Sequence, residues 1–333
     1  MAYYSIYNEP NLGKTWLTPR FQRSRSGRID VGGMLYRKLW IAGYKAVAKY
    51  DPARRNRVLF GEVAAIASPI PMLRAALCLD ARGRPFRGRL AKLQGCSGRV
   101  SKLNIGGVAV HPYNTGGNGT PQTRTPLKTT LHLAYLPRLH RLMDGAARRG
   151  RIARGKGIFA TEFGYQSNPP DSISNVSPGE QARYINESDR MFFGDRRVRT
   201  VAQYEISDPP EEDQFNSGLR FVNGTAKPAY AAYRTPIVVT RRSANSVEVY
   251  GQVRPARQLT GSGRTQVAVQ VLQGGTWTTV TQPRTNGRGI FRVNLRRSRA
   301  SSSRWRVTWQ SPTGEFLISR TARVGKRLRF YRG

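Results

Sequence analysis

Two glutamates, Glu9 and Glu162, sit in the segments Ile6-Tyr7-Asn8-Glu9-Pro10-Asn11-Leu12 and Ile158-Phe159-Ala160-Thr161-Glu162-Phe163-Gly164. Each follows a short apolar run of strand character, which places its carboxyl group at the C-terminal end of an expected strand. Two carboxyl groups facing one cleft can divide the work of breaking a glycosidic bond. One holds a proton for the leaving oxygen, and the other attacks the anomeric carbon. Repulsion between them and partial burial push their pKa values apart, so that an acid and a carboxylate coexist near neutral pH. Taken singly, the same residues have plainer roles open to them. Asn-Glu-Pro can be a helix-start turn, Glu162 a buried partner of an arginine, and His111 before Pro112 a satisfied strand-end residue. Glu62 and Asp208 also close strand-like runs and are further candidates for the cleft.

These side chains need a scaffold, and the apolar pattern supplies one. Residues 3–7 read as a strand, and 31–50 carry Leu35, Leu39, Ala42, Ala46 and Val47 at helical spacing until Asp51-Pro52 stops them. Strand-like runs recur at 58–60, 105–110, 158–160 and 198–206, with helical stretches at 73–79, 131–147 and 178–193, the last with Pro178 near its start. Five strands alternating with helices is the pattern of an α/β fold with a parallel sheet and right-handed crossovers. Its near-continuous apolar strands fit burial on both faces. The polar clusters fall at the strands' C-terminal ends, where (β/α)8 barrels and open α/β sheets both keep their active sites. Beyond Thr235-Pro236 the helical spacing stops. Seven short alternating runs follow, at 237–240, 246–250, 265–272, 276–281, 290–295, 305–309 and 315–319, and predict an all-β sandwich of immunoglobulin-like or fibronectin-like type. Trp277, Trp305 and Trp309 in it are either core or a sugar-stacking surface.

In order along the chain come N-E-P-N-L, H-P-Y, T-E-F-G-Y-Q-S-N-P-P-D, S-G-L-R-F and A-K-P-A-Y-A-A-Y. This ordered set, covering about residues 3–236, resembles the clan A retaining glycoside hydrolases near families 5 and 39, the cellulase-like group. The resemblance implies a TIM-barrel domain of which only strands four to eight are present, at residues 1–236, with a β-sandwich accessory domain at 237–333. It implies hydrolysis of O-glycosidic bonds in a β-linked glycan by retaining double displacement, with Glu9 as acid/base and Glu162 as nucleophile. Asn8 would hydrogen-bond the sugar 2-hydroxyl, and His111 and Tyr113 match the sixth-strand pair, Tyr113 holding Glu162. Tyr204 stands where the family often has a Trp platform for the sugar. No cofactor and no metal enters this chemistry. The absence of strands one to three predicts an N-terminally truncated chain, weakly active or inactive, with exposed sheet edges.

Composition sets the limits on partners. Of the 333 residues, 56 are Lys or Arg against 19 Asp or Glu, for a net charge of +37. The basic residues are scattered in short runs such as Arg148-Arg149 and Arg196-Arg197, with no recognisable nucleic-acid module around them. That pattern fits arginines on solvated faces, with non-specific, salt-sensitive binding of polyanions. A non-catalytic basic protein that holds acidic cell-wall or matrix glycans is the competing reading. No apolar run reaches the roughly 18 residues of a membrane helix, and the start has no signal-peptide pattern. Cys78 and Cys96 have no neighbouring histidines to complete a zinc site. They are either a disulfide or two small buried residues. The extracellular or cell-wall location that the resemblance implies favours the disulfide, and the substrate loops at 115–125 and 167–178 would set which sugar is bound.

Overall fold

The computed structural model describes residues 3–12, 17, 20–114, 119–173, 176–210, 215–296 and 304–331, so residues 115–118 and 174–175 of the two loops expected to set the substrate lie outside the described residues. The chain begins with a short hairpin, β1 (Gln22–Ser24) and β2 (Gly27–Ile29), and then runs through α1 (Val31–Tyr50), β3 (Leu59–Ala64), α2 (Pro69–Ala76), α3 (Gly88–Leu93), β4 (Gly107–His111), α4 (Leu136–Arg148), β5 (Ile158–Phe163), α5 (Pro178–Gly194), β6 (Val198–Gln203) and α6 (Pro228–Arg234). Strands β3, β4, β5 and β6 pair in that order, all parallel. This is a mixed α/β fold whose parallel sheet carries helices between its strands.

Helix α1 starts where the Asp30 side chain accepts from Gly33 N, and ends at Asp51 before Pro52. Its Tyr36 and Trp40 are buried against the sheet. The Trp40 indole donates to Leu59 O at 2.6 Å, and Gly61 N donates to the Tyr36 hydroxyl at 2.7 Å. These two bonds tie α1 to β3 where the strand is irregular. The β3 register shifts between Gly61 and Val63, Gly61 has φ +109, and Glu62 has φ +49. A β-bulge at this point frees the Gly61 amide from the ladder, and Tyr36 supplies the acceptor it then lacks. Helix α5 opens with a capping box between Ser177 and Glu180, with Pro178 inside the first turn.

Two expectations are corrected here. Residues 3–7 do not form a strand. They contribute one parallel bridge, Tyr4 to Val58, with Tyr4 N donating to Arg57 O and Leu59 N to Tyr4 O. Tyr7 and Glu9 take φ of +77 and +44, which bends the segment off the ladder before a second residue can pair. Nor is every strand buried on both faces: β4 is wholly buried, but in β6 Arg199, Thr200 and Ala202 are exposed. Among the described residues β6 is the outer strand on its side of the sheet, and its polar alternation suits an edge.

The second half comprises β7 (Ile237–Ser243), β8 (Ser246–Gln252), α7 (Ala256–Thr260), β9 (Ala268–Gln273), β10 (Thr276–Thr281), β11 (Ile290–Arg296), β12 (Trp305–Gln310), β13 (Phe316–Ile318) and β14 (Val324–Gly325). They form two four-stranded sheets, in the orders β11-β8-β7-β14 and β10-β9-β12-β13, around one apolar cluster that includes Val239, Val249, Val269, Phe291, Trp305 and Trp309. The two buried tryptophans are therefore core. Trp277 is half-buried, with the Arg306 guanidinium 4.3 Å from its ring centroid. No helix of the described residues is long and apolar enough to cross a membrane.

The halves are joined by polar contacts from α5. Asp189 accepts from Arg254 at 2.8 Å, Arg190 bonds Glu248, and the fully buried Asn186 accepts from both Ile237 N and Arg320. The last described residues return to the α/β half. Tyr331 N donates to Ala134 O at 2.7 Å, and its ring lies 5.4 Å from that of Tyr135. Cys78 and Cys96 are joined as a disulfide, with their Cα atoms 5.6 Å apart.

Asp208 belongs to this framework and does not face the cleft. It is buried against the fully buried Lys227, whose ammonium also donates to Ser167 Oγ at 2.8 Å, and so staples the loop after β5 to the loop after β6. Removing the carboxylate would leave an uncompensated buried charge. Asp208→Ala is expected to lower the unfolding free energy by about 3–5 kcal/mol in urea titration, and the double variant Asp208→Ala/Lys227→Met to recover most of that loss.

Candidate active site

At the C-terminal end of the parallel sheet, three carboxylates converge on one imidazole. His111 is the last residue of β4 and fully buried. Its Nδ1 lies 2.9 Å from Glu9 Oε1 and 3.4 Å from Glu162 Oε2, and its Nε2 lies 3.8 Å from Glu62 Oε1. One oxygen of Glu9, one of Glu162 and a ring nitrogen of His111 all fall within 4.8 Å of one another. Three of these residues stand at the same end of the adjacent parallel strands β3, β4 and β5, and Glu9 reaches them from the bent segment that bridges to Val58 just before β3.

Local structure explains how each side chain is aimed. Glu162 is next to last in β5, between half-buried Thr161 and buried Phe163, and alternation turns it to the face opposite theirs. Glu62 sits on the bulge of β3, which re-aims its side chain towards His111. Glu9 lies on the bent segment after the Tyr4 bridge, its amide donating to Glu62 O at 3.0 Å and its carbonyl accepting from Leu12 N. Asn11 fixes this turn. Wholly buried, its side chain accepts from Ala64 N at 2.8 Å and donates to Ala64 O and Ile66 O at 3.2 and 2.6 Å. The left-handed φ values of Glu9 and Glu62 are strained for residues with a Cβ, and the Asn11 and Tyr36 bonds hold the flanking backbone in place.

Charge is balanced by the ring. Burial works against a charged imidazole, but Glu62, Glu9 and Glu162 around it outweigh that effect and raise the His111 pKa to about 9. The ring is then an imidazolium at neutral pH. Glu162 is pushed above the ordinary carboxyl range, first by burial and then by the neighbouring Glu9 and Glu62, with the charge of His111 and the hydroxyl of Tyr113 acting in the opposite direction. Tyr113 follows β4, its amide donating to His111 O, and its hydroxyl donates to Glu162 Oε2 at 3.2 Å. Burial and the adjacent Glu162 hold that hydroxyl far above the usual phenol range, so it stays a donor.

Above the cluster opens a cavity of about 410 Å³ lined by Asn8, Glu9, Tyr113, Glu162, Tyr204 and Phe215, among others. The Glu9 and Glu162 side chains are 21% and 26% exposed into it, while His111 lies beneath with none, so the carboxylates and not the ring can touch a ligand. Of the residues singled out in the sequence, Glu9, Glu162, Tyr113, Tyr204 and Asn8 all line this cavity, with Asn8 on its exposed rim. Tyr204 and Tyr113 both approach Phe215 edge-on, at centroid distances of 5.9 and 4.8 Å, which builds an aromatic wall. Glu62 joins the cluster, whereas Asp208 does not. Phe215 and Asn114 line the cavity without any signal in the sequence, because they reach it from loops of no fixed period, while Tyr165 joins them from the T-E-F-G-Y run. Glu9, His111 and Glu162 bring one donor-type atom each within 4.8 Å of one another, but an imidazolium offers a cation no lone pair, which leaves only the two carboxylates as ligands.

No protein-family model and no curated protein sequence matches the chain. Among solved structures, β-glucuronidase 2 of Bacteroides uniformis, covalently bound to cyclophellitol-6-carboxylate aziridine, matches 88% of this chain and 30% of its own at 10% identity and a TM-score of 0.34. A Paenibacillus polymyxa xyloglucanase from glycoside hydrolase family 44 matches 88% of this chain and 64% of its own at 9% identity and a TM-score of 0.41. The chain thus spans about a third of the length of the glucuronidase. At such low TM-scores neither likeness bears on what the pocket does.

The positioning role of Asn11 is testable without any substrate. Asn11→Ala leaves the Ala64 amide unsatisfied and is expected to cost about 1–3 kcal/mol of unfolding free energy in urea titration. Asn8→Ala, on the open rim, is expected to change it by no more than about 0.5 kcal/mol.

Proposed function

We propose that the pocket hydrolyses O-glycosidic bonds with retention, Glu162 acting as nucleophile and Glu9 as acid/base. The observation that carries this reading is the approach of the two carboxyl groups to within 4.8 Å at the mouth of one cavity. Retaining glycosidases hold theirs roughly 5–5.5 Å apart, whereas a separation of about 6.5–9.5 Å leaves room for the water of an inverting mechanism. In the first step a Glu162 oxygen attacks the anomeric carbon, the glycosidic C–O bond breaks, and the Glu9 proton passes to the leaving oxygen. In the second, Glu9 takes a proton from water, the water oxygen attacks the anomeric carbon, and the bond to Glu162 breaks. The hydroxyl that Tyr113 donates to Glu162 favours its anionic form, as a nucleophile needs. Tyr204 and Phe215 offer the apolar wall against which a sugar ring packs, and Asn8 stands at the rim to meet its hydroxyls.

On this reading residues 1–236 are part of a TIM-barrel hydrolase domain and 237–333 an accessory sandwich of immunoglobulin type. The substrate is a β-linked oligo- or polysaccharide, no cofactor is required, and the disulfide fits an extracellular setting. One observation favours a second assignment with the roles exchanged: Glu162 is the carboxyl group raised by its surroundings, and Glu9 is the one bonded to the imidazolium. Azide separates the two, because it replaces a missing nucleophile with inversion and a missing acid/base with retention.

With aryl β-glycosides carrying a good leaving group, Glu162→Gly is expected to lose about a thousandfold or more in kcat and, with azide, to give the α-glycosyl azide. Glu9→Gly is expected to keep more activity on these substrates and to give the β-azide. The opposite pattern assigns the exchanged roles. Activity untouched by either substitution, or abolished by a chelator, would overturn the reading, and binding of acidic glycan with no reducing sugar released would favour the non-catalytic protein.

A further inference from the structure

A second recess, of about 440 Å³, lies where α5, the β11-β8-β7-β14 sheet and the returning C-terminal segment meet. Among the described residues, Arg190, Arg241, Arg242, Arg292 and Arg327 line it with a single carboxylate, Glu248, and none of its lining is shared with the carboxylate pocket. Glu248 is buried and takes Arg190 through both Nε and a terminal nitrogen, at 2.9 and 2.6 Å to the same oxygen. Its other oxygen lies 3.9 Å from Arg242 and 3.7 Å from Arg292, beyond direct hydrogen-bond distance, and those two side chains are half exposed. Glu248 pairs in register with Thr240 of β7 and Asn294 of β11. Arg292 is thus its diagonal neighbour on one sheet face, and Arg242, on the β7 bulge, donates to Asn294 Oδ1 at 3.0 Å. Arginines that were merely solvated would spread apart, since like charges repel. Here five line one recess, and three of them, Arg190, Arg242 and Arg292, approach one buried acid that Arg190 alone pairs directly.

We propose that this recess binds an acidic glycan through a carboxylate or sulfate group held between Arg242 and Arg292. The planar, weakly hydrated guanidinium matches both anions with paired hydrogen bonds. The recess has the volume of a small ligand site, not of a groove that follows a duplex. Nucleic-acid sites that take single strands stack successive bases on aromatic platforms. Phe330 is the lone aromatic on this lining among the described residues, and it is packed against the core of the α/β half. The choice of a glycan over other anions rests on the hydrolase reading given above; the recess itself does not. Such a site would hold a charged polymer on the enzyme while a second stretch of chain occupies the cleft.

The test uses the full chain with oligogalacturonate, a heparin-derived oligosaccharide, a neutral cello-oligosaccharide and a short DNA duplex as probes, by isothermal titration calorimetry. At least one acidic glycan is expected to bind, more weakly as salt rises from about 50 to about 200 mM, and the tighter of the two names the anionic group. Arg242→Ala/Arg292→Ala is expected to weaken that binding about tenfold, and the exposed control pair Arg55→Ala/Arg99→Ala to change it less than about twofold. Should the first pair fail to fold by circular dichroism, Arg242→Gln/Arg292→Gln removes the charge and keeps hydrogen-bond donors. Equal weakening by both pairs, tighter binding of DNA than of either glycan, or no acidic glycan bound overturns the proposal. Aryl glycoside hydrolysis by the Arg242/Arg292 variant separates the outcomes, since loss of glycan binding with hydrolysis intact, or the reverse, assigns each failure to its own site.

Discussion

A buried imidazolium encircled by three carboxylates is the interaction on which the site depends. Three acidic groups crowded at one strand end repel one another and resist desolvation, and without a counter-charge they would turn apart or take up protons. His111 supplies that charge from beneath, where it touches all three and no ligand can reach it. Glu9 and Glu162 can therefore stand side by side at the mouth of the cavity with their outer faces open. The ring acts as a fixed electrostatic core around which the two carboxylates at the cavity mouth are arranged.

That arrangement is held at the expense of local backbone strain. Glu9 and Glu62 both occupy the left-handed region, and β3 loses its register between Gly61 and Val63. Well-packed neighbours maintain these conformations: the Tyr36 hydroxyl on the Gly61 amide, the Trp40 indole on Leu59 O, and the Asn11 amide spanning Ala64 and Ile66. The opposite wall of the cavity is fixed by the Lys227–Asp208 pair, which joins the loops that carry Gln166 and Phe215. Precision at the cluster thus comes from buried polar ties on both sides of it, and the aromatic wall provides the shape.

The sequence was most informative where period and chemistry coincide. The runs that became β4, β5 and α5 were legible because burial on both faces leaves continuous apolar residues, and because Ser177-Pro178 and Glu180 mark a helix start. Glu9 and Glu162 stood out by ending such runs. The segment 3–7 misled because its apolar content is that of a strand, while the positive φ of Tyr7 and Glu9 is a property of three-dimensional contacts with the β3 bulge. Glu62 and Asp208 were indistinguishable in sequence, both acids after apolar runs. Whether each faces the cleft or Lys227 depends on a bulge and on a buried lysine from α6's cap, neither of which has a periodic signature. Phe215 and the arginine recess were invisible for the same reason, since both assemble from separate loops and strands.

Whether the three carboxylates surround His111 in solution can be read most directly from the imidazole itself. Following the His111 ring nitrogens by NMR while raising the pH should show imidazolium signals well past the ordinary histidine value of 6.5, with the proton lost near pH 9. A ring that titrates at or below 6.5 would mean that the carboxylates do not meet there, and would contradict the account.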